Sequence, residues 1–169
     1  LRAAQSGMAG IRTAGGAADV NDIGLKDLAI NGTPYGGCEA GIRIDRPTDK
    51  WDLENVSTDG FQYGLLVFQV NITDVKITGG AFNRSYYGGI YVSRPSTNGE
   101  IDGLEITGTT FDKNNSRGLY FEGLSNATFE DITVTDTKGY FPFVASRGHR
   151  GFHANLRNGY FEDIVLEDS

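Results

Sequence analysis

The stretch Ile101-Asp102-Gly103-Leu104-Glu105-Ile106-Thr107-Gly108-Thr109-Thr110-Phe111-Asp112-Lys113-Asn114-Asn115-Ser116-Arg117-Gly118-Leu119-Tyr120-Phe121 decides the fold. Ile101, Leu104 and Ile106 form an apolar-x-x-apolar-x-apolar pattern. Phe111 marks a second short element, and Gly118 opens a third in which Leu119 and Phe121 alternate with Tyr120. Gly, Asn, Asp and Thr separate the three. Alternation with period two in short runs broken by such residues predicts strands, and no sustained 3.6-residue period predicts a helix.

The same units recur outward from this stretch. A glycine followed by alternating residues occurs six times: Gly10-Ile11-Arg12-Thr13, Gly41-Ile42-Arg43-Ile44, Gly64-Leu65-Leu66-Val67, Gly89-Ile90-Tyr91-Val92, Gly118-Leu119-Tyr120-Phe121 and Gly151-Phe152-His153-Ala154. The glycines lie 31, 23, 25, 29 and 33 residues apart. The spaced apolar pattern recurs at Leu25/Leu28/Ile30, Leu53/Val56/Thr58, Ile72/Val75/Ile77, Ile101/Leu104/Ile106, Phe129/Ile132/Val134 and Phe161/Ile164/Leu166, and the aromatic element at Phe61, Phe82 and Phe111. Two or three short strands cannot bury a face alone, whereas stacked identical coils can. The expected architecture is all-β: one right-handed single-stranded parallel β-helix over residues 1–169. It has about six coils, starting near residues 10, 41, 64, 89, 118 and 151, and at the usual strand spacing is about 25–30 Å long. Sandwiches need frequent hairpins, leucine-rich repeats a shorter period, and propeller blades four strands per longer repeat.

The quoted stretch resembles the parallel β-helix repeat of the pectate-lyase-like superfamily, and the resemblance extends over residues 10–169. It implies the fold and a set of activities: polysaccharide lyases, polygalacturonase-type hydrolases, alginate epimerases, phage tailspikes and non-catalytic surface proteins. Fold alone does not choose among these. Ser57-Thr58-Asp59-Gly60 and Gly148-His149-Arg150-Gly151 resemble parts of the polygalacturonase signature, but the paired aspartates expected between them are missing. Tyr63-Gly64-Leu65-Leu66-Val67-Phe68 stands where an alginate epimerase has Asp-Pro-His, and no pectate-lyase acid cluster with its neighbouring arginine is present.

Composition narrows the function. The 169 residues carry a formal charge of −7, against the basic footprint of a nucleic-acid binder. No apolar run is long enough for a membrane helix, and one cysteine excludes a disulfide framework or a zinc ribbon. The chain begins at Leu1 and its last coil carries no cap, so a fragment of a longer β-helix is expected, with self-assembly through uncapped ends. Sparse lysine and the single Cys38 accord with an extracellular or cell-surface location. Six Asn-x-Ser/Thr sequons, at Asn31, Asn55, Asn71, Asn83, Asn114 and Asn126, mark either glycosylation or simply Asn/Thr-rich turns.

Alternation assigns faces. The outward column reads Arg12, Arg43, Leu66, Tyr91, Tyr120, His153, and two places on Ala14, Asp45, Phe68, Ser93, Glu122, Asn155. Rings that stack on sugars beside groups that bond hydroxyls and carboxylates suit a polysaccharide. The second sheet presents mixed charge and threonine, a solvated face. Between Thr137 and Phe161 there is no acidic residue, but Lys138, Arg147, Arg150, Arg157, His149 and His153 occur, with the apolar run Tyr140-Phe141-Pro142-Phe143. Such a basic insertion suits an anionic ligand. The candidate catalytic residues are His149 or His153 as base and Tyr120 (or Tyr140) as acid, by analogy with uronate chemistry. Arg43, Tyr91, Glu122, Arg147 and Arg150 are the candidate substrate contacts. Acids in coil two (Asp45, Asp49, Asp52, Glu54, Asp59) raise Ca²⁺ as a ligand without a known motif; no other cofactor is expected. The reading is a secreted domain that binds or processes a polysaccharide, expected to be acidic, with a structural or adhesive fibre as the alternative.

Overall fold

The computed structural model describes residues 9–13, 21–33, 37–93 and 100–136, and the backbone pairing of 143–144, 156–157, 160–162 and 165–167. The described residues contain strands and no helix: β1 Ala9–Arg12, β2 Ile23–Asn31, β3 Ala40–Ile44, β4 Trp51–Asp59, β5 Tyr63–Phe68, β6 Asn71–Thr78, β7 Ala81–Asn83, β8 Gly88–Ser93, β9 Glu100–Thr107, β10 Thr110–Asp112, β11 Leu119–Phe121, β12 Leu124–Ser125, β13 Thr128–Glu130, β14 Thr133–Thr135, β15 Phe143–Val144, β16 Leu156–Arg157, β17 Tyr160–Glu162 and β18 Val165–Glu167. All pairings are parallel. One sheet runs β1-β3-β5-β8-β11-β15, and the remaining strands form a second. The chain is a parallel β-solenoid. About four turns are complete, against the six coils expected from the sequence.

The repeated glycine has a steric cause. A Cβ on Gly10, Gly41 or Gly89 would lie 2.8, 2.8 and 2.7 Å from the carbonyl oxygen of the glycine one coil further on, and a Cβ on Gly64 would meet the Gly89 carbonyl. It would also strike the core: Ile30 Cγ2 at 2.5 Å from Gly10, Thr58 Cγ2 at 2.5 Å from Gly41 and Phe111 Cδ1 at 2.7 Å from Gly89. Here the chain turns a corner between the sheets, and only hydrogen fits between stacked coils.

The spaced apolar pattern has a conformational cause. Strand register aligns Asp27 (φ 50°), Asn55 (51°), Gly79 (65°), Gly108 (62°) and Asp131 (52°) in one column of left-handed residues. Each left-handed residue bends the run and resets its alternation, so apolar side chains three apart both point inward. Asp, Asn and Gly tolerate that backbone best. Asp74 (52°), Gly103 (80°) and Asn126 (50°) form a second such column one bend upstream. This corrects the sequence alignment of the repeats. Leu25 stacks on Leu53, Ile77, Ile106 and Phe129, whereas Ile72 and Ile101 belong with Leu124. Both bends generate the same spacing, so pattern alone merged them.

The last coil is also corrected. Leu119 pairs with Phe143 and Tyr120 with Val144, so the sixth strand of the first sheet begins at Phe143 and not near Gly151. Val144 takes the column place expected for His153. By backbone register Phe143 follows Ile11, Ile42, Leu65, Ile90 and Leu119. The extra chain length then falls between Val144 and Leu156, where the preceding coil passes directly from Tyr120 to Leu124.

Inside, like stacks on like. Phe82 and Phe111 lie 5.8 Å apart at 17°, and Ile, Leu and Val columns fill the rest. Thr58 and Ser85 are exceptions among the described residues: both are buried with no hydrogen-bond partner for the hydroxyl, and Thr58, at 1% exposure, stands in the apolar column between Ile30 and Phe82. A buried unpaired hydroxyl is destabilising. Thr58→Val keeps the shape and removes it, and is expected to raise unfolding free energy by about 1 kcal/mol, measured as a shifted denaturant midpoint at unchanged slope. A loss of stability instead would mean that the hydroxyl has a partner.

Candidate functional site

The outer face of the first sheet carries the most chemistry. Its register is Arg12, Arg43, Leu66, Tyr91, Tyr120, Val144, so four of the candidate residues, Arg43, Tyr91, Tyr120 and Glu122, share one face. Tyr91 and Tyr120 are neighbours; Arg43 stands two strands away from Tyr91. His149, His153, Arg147 and Arg150, with Tyr140, lie outside the described residues.

The tyrosines form a continuous cluster. Tyr91 stacks on Tyr120 with centroids 4.3 Å apart and planes at 16°. Tyr63 lies 4.8 Å from Tyr91 and 5.1 Å from Tyr87, and Tyr86 meets Tyr87 edge-on at 4.7 Å. The Arg117 guanidinium sits 4.8 Å over the Tyr120 ring. Tyr120 is buried (3% exposed) although it stands on the outer face, and its phenol donates to Glu122 Oε1 at 2.8 Å. Tyr63, Tyr91 and Tyr120 therefore turn much of their ring surface toward one another and act as backing. The open area belongs to Tyr86 and Tyr87, at 40% and 41% exposure.

Beside the rings lies a closed network of charge. Arg12 Nε donates to Asp45 Oδ2 at 2.8 Å, Thr13 Oγ1 donates to Asp45 Oδ1 at 3.0 Å, and Arg43 Nε reaches the same carboxylate at 3.2 Å. Arg43 also pairs with Glu39 and lies 4.9 Å over the Phe68 ring. Burial pushes Tyr63 up to about 12; it also raises Tyr91, with the Glu122 charge adding. Burial raises Tyr120 too, as does its bond to Glu122. Burial alone would raise Asp45, but its bonds from Arg12 and Thr13 outweigh this and hold it below the usual carboxylate range. The effect on each of these groups is to hold it in its ordinary protonation state near neutrality, whereas proton transfer works best from a group tuned toward the working pH. Tyr120 serves in this arrangement as a donor to Glu122.

The acids of coil two are dispersed: Asp45 joins Arg12, Glu54 joins Lys26 at 2.7 Å, and Asp59 joins Arg84. Among the described residues no three His, Cys, Asp or Glu side chains converge as metal ligands. The second sheet presents cross-coil ion pairs, such as Lys76 with Glu105 at 3.0 Å. Of the sequon asparagines, Asn31, Asn55, Asn71 and Asn126 are exposed, Asn83 is half-buried and Asn114 is buried.

Sequence reasoning passed over Tyr63, Tyr86, Tyr87, Glu39 and Arg117. The signal for two of them was the tandem Tyr86-Tyr87 directly before Gly88-Gly89, two large rings at a turn. Tyr63 directly precedes the corner glycine Gly64, where alternation breaks and the ring turns outward. No protein-family model, curated protein or solved structure matches the chain, so the fold is assigned from its own geometry as a parallel β-solenoid.

Proposed function

We propose that the chain binds a polysaccharide on the outer face of its first sheet, with Tyr86 and Tyr87 as the platform and Tyr63, Tyr91, Glu39 and Arg117 around it. The observation that carries this reading is the five-tyrosine cluster, rigidly backed and open at one end. Two exposed rings held by neighbours on a β-scaffold give contact area at little entropic cost. The repeat's resemblance to pectate-lyase-like proteins, many of which act on polysaccharides, supports the same reading and an extracellular or cell-surface location.

Affinity electrophoresis in gels cast with soluble polysaccharides tests it. At least one polysaccharide is expected to retard the wild type, and the double variant Tyr86→Ala/Tyr87→Ala to lose tenfold or more in affinity, about 1.4 kcal/mol, with its circular dichroism unchanged. A folded double variant that binds as well as wild type, or a wild type that no polysaccharide retards, would overturn the proposal.

A further inference from the structure

We infer that the ligand of the tyrosine face is a neutral polysaccharide with flat apolar C–H faces, such as a β-glucan, and not a polyuronate. This rests on the binding reading above and names its substrate class, departing from the acidic ligand that the basic window of the sequence suggested. Three observations carry it.

First, among the described residues the charges in contact on this face balance. Arg12, Arg43 and Arg117 stand with Glu39, Asp45 and Glu122. Second, the cations are already engaged. The Arg43 side chain is only 14% exposed and holds two carboxylates, Glu39 and Asp45. Asp45 also takes Arg12, and Arg117 lies over a ring. A uronate reaching Arg43 would have to displace a carboxylate already there, exchanging one ion pair for another with a net gain near zero. Third, among the described residues of this face the open surface is aromatic at Tyr86 and Tyr87, and the exposed cation of the same face, Arg12, is already held by Asp45. A sugar with equatorial hydroxyls offers its C–H face to such rings and its hydroxyls to the phenols and carboxylates beside them. The formal charge of −7 adds long-range repulsion toward any polyanion.

The test compares soluble mixed-linkage β-glucan with polygalacturonate, using the full chain, in affinity gels and by calorimetry at low salt and at about 0.3 M salt. Retention by the glucan is expected, with affinity changing less than about twofold between the two salts, since exposed charges would be screened and stacking would not. Loss of that retention in Tyr86→Ala/Tyr87→Ala is expected as well. Retention by polygalacturonate alone, weakening with salt and abolished by Arg147→Ala/Arg150→Ala, would overturn the neutral assignment while leaving polysaccharide binding intact. Retention by neither polymer, nor by any other polysaccharide, would overturn both.

Discussion

Replacing Gly89 by alanine is expected to destabilise the chain by about 3 kcal/mol or more, lowering Tm by about 6–12 °C for a chain of this length. The added methyl has no direction in which to relax. One coil on, the Gly118 carbonyl oxygen would lie 2.7 Å from it; toward the core, Phe111 Cδ1 would lie at 2.7 Å and the Phe82 carbonyl at 3.1 Å. Two of these three atoms are backbone carbonyls already fixed by hydrogen bonds, Gly118 from the Ile90 N–H and Phe82 from Asn114 Nδ2, and the third belongs to the stacked Phe82–Phe111 pair. Opening one corner would therefore separate coils on both sides of it. Gly24→Ala is the matched control. It lies in exposed strand β2 with nothing within 4 Å of the new methyl, and should be neutral or gain up to about 1 kcal/mol through the unfolded state. A Gly89→Ala loss below about 1 kcal/mol would show that the corners are not in carbonyl contact and that the stacking assigned to this column is wrong.

That steric column explains why so much of the fold is legible in the sequence. Where one cause repeats in every coil, as at Gly10, Gly41, Gly64 and Gly89, the repeat prints itself on the chain. The inward alternation of Ile42/Ile44, Leu65/Val67 and Ile90/Val92 is similarly plain, and all six are fully buried. Legibility fails where two causes print the same pattern. The left-handed bends at Asp74, between Ile72 and Val75, and at Asn55, between Leu53 and Val56, both space apolar residues by three, and register, a non-local property, separates them. It fails again at Gly151, where a glycine resembles a corner but Phe143 wins the pairing. At the site, alternation placed Arg43, Tyr91, Tyr120 and Glu122 together. It could not show that Arg43 is closed by Glu39, or that Tyr120 is covered. Those facts depend on Glu39 and Arg117, which lie just before the alternating runs of their strands.

The second large effect is expected at Asn114, where the coils are joined through a buried side chain. Asn114 is 0% exposed; its Oδ1 accepts from the Ser85 backbone N–H at 2.9 Å, and its Nδ2 donates to the Phe82 carbonyl at 2.9 Å. Both contacts run to the preceding coil, so one amide satisfies a donor and an acceptor that the turn leaves outside the ladder. Asn114→Asp keeps the shape and the bond from Ser85 but sets an oxygen against the Phe82 carbonyl. The new carboxyl fits only when protonated, as a donor in the place of Nδ2. Its pKa in the folded chain is therefore raised above the ordinary value of about 3.9, and the sign of the pH dependence follows. The variant lies closest to wild type below about pH 4 and falls away as pH rises through the raised pKa, at up to about 1.4 kcal/mol per pH unit between the two values. The readout is the gap between variant and wild type, because the wild type also weakens in acid: Asp45 and Asp112 are held low, and the stability they contribute is lost as pH falls. Denaturant titrations from pH 4 to pH 7 should show the gap widening to several kcal/mol. Asn114→Ala, which loses both bonds without gaining a titratable group, should show a gap of about 2–3 kcal/mol that pH does not change. A pH-independent gap for Asn114→Asp would mean that its carboxylate reaches water, and that the joint between these two coils is open rather than sealed.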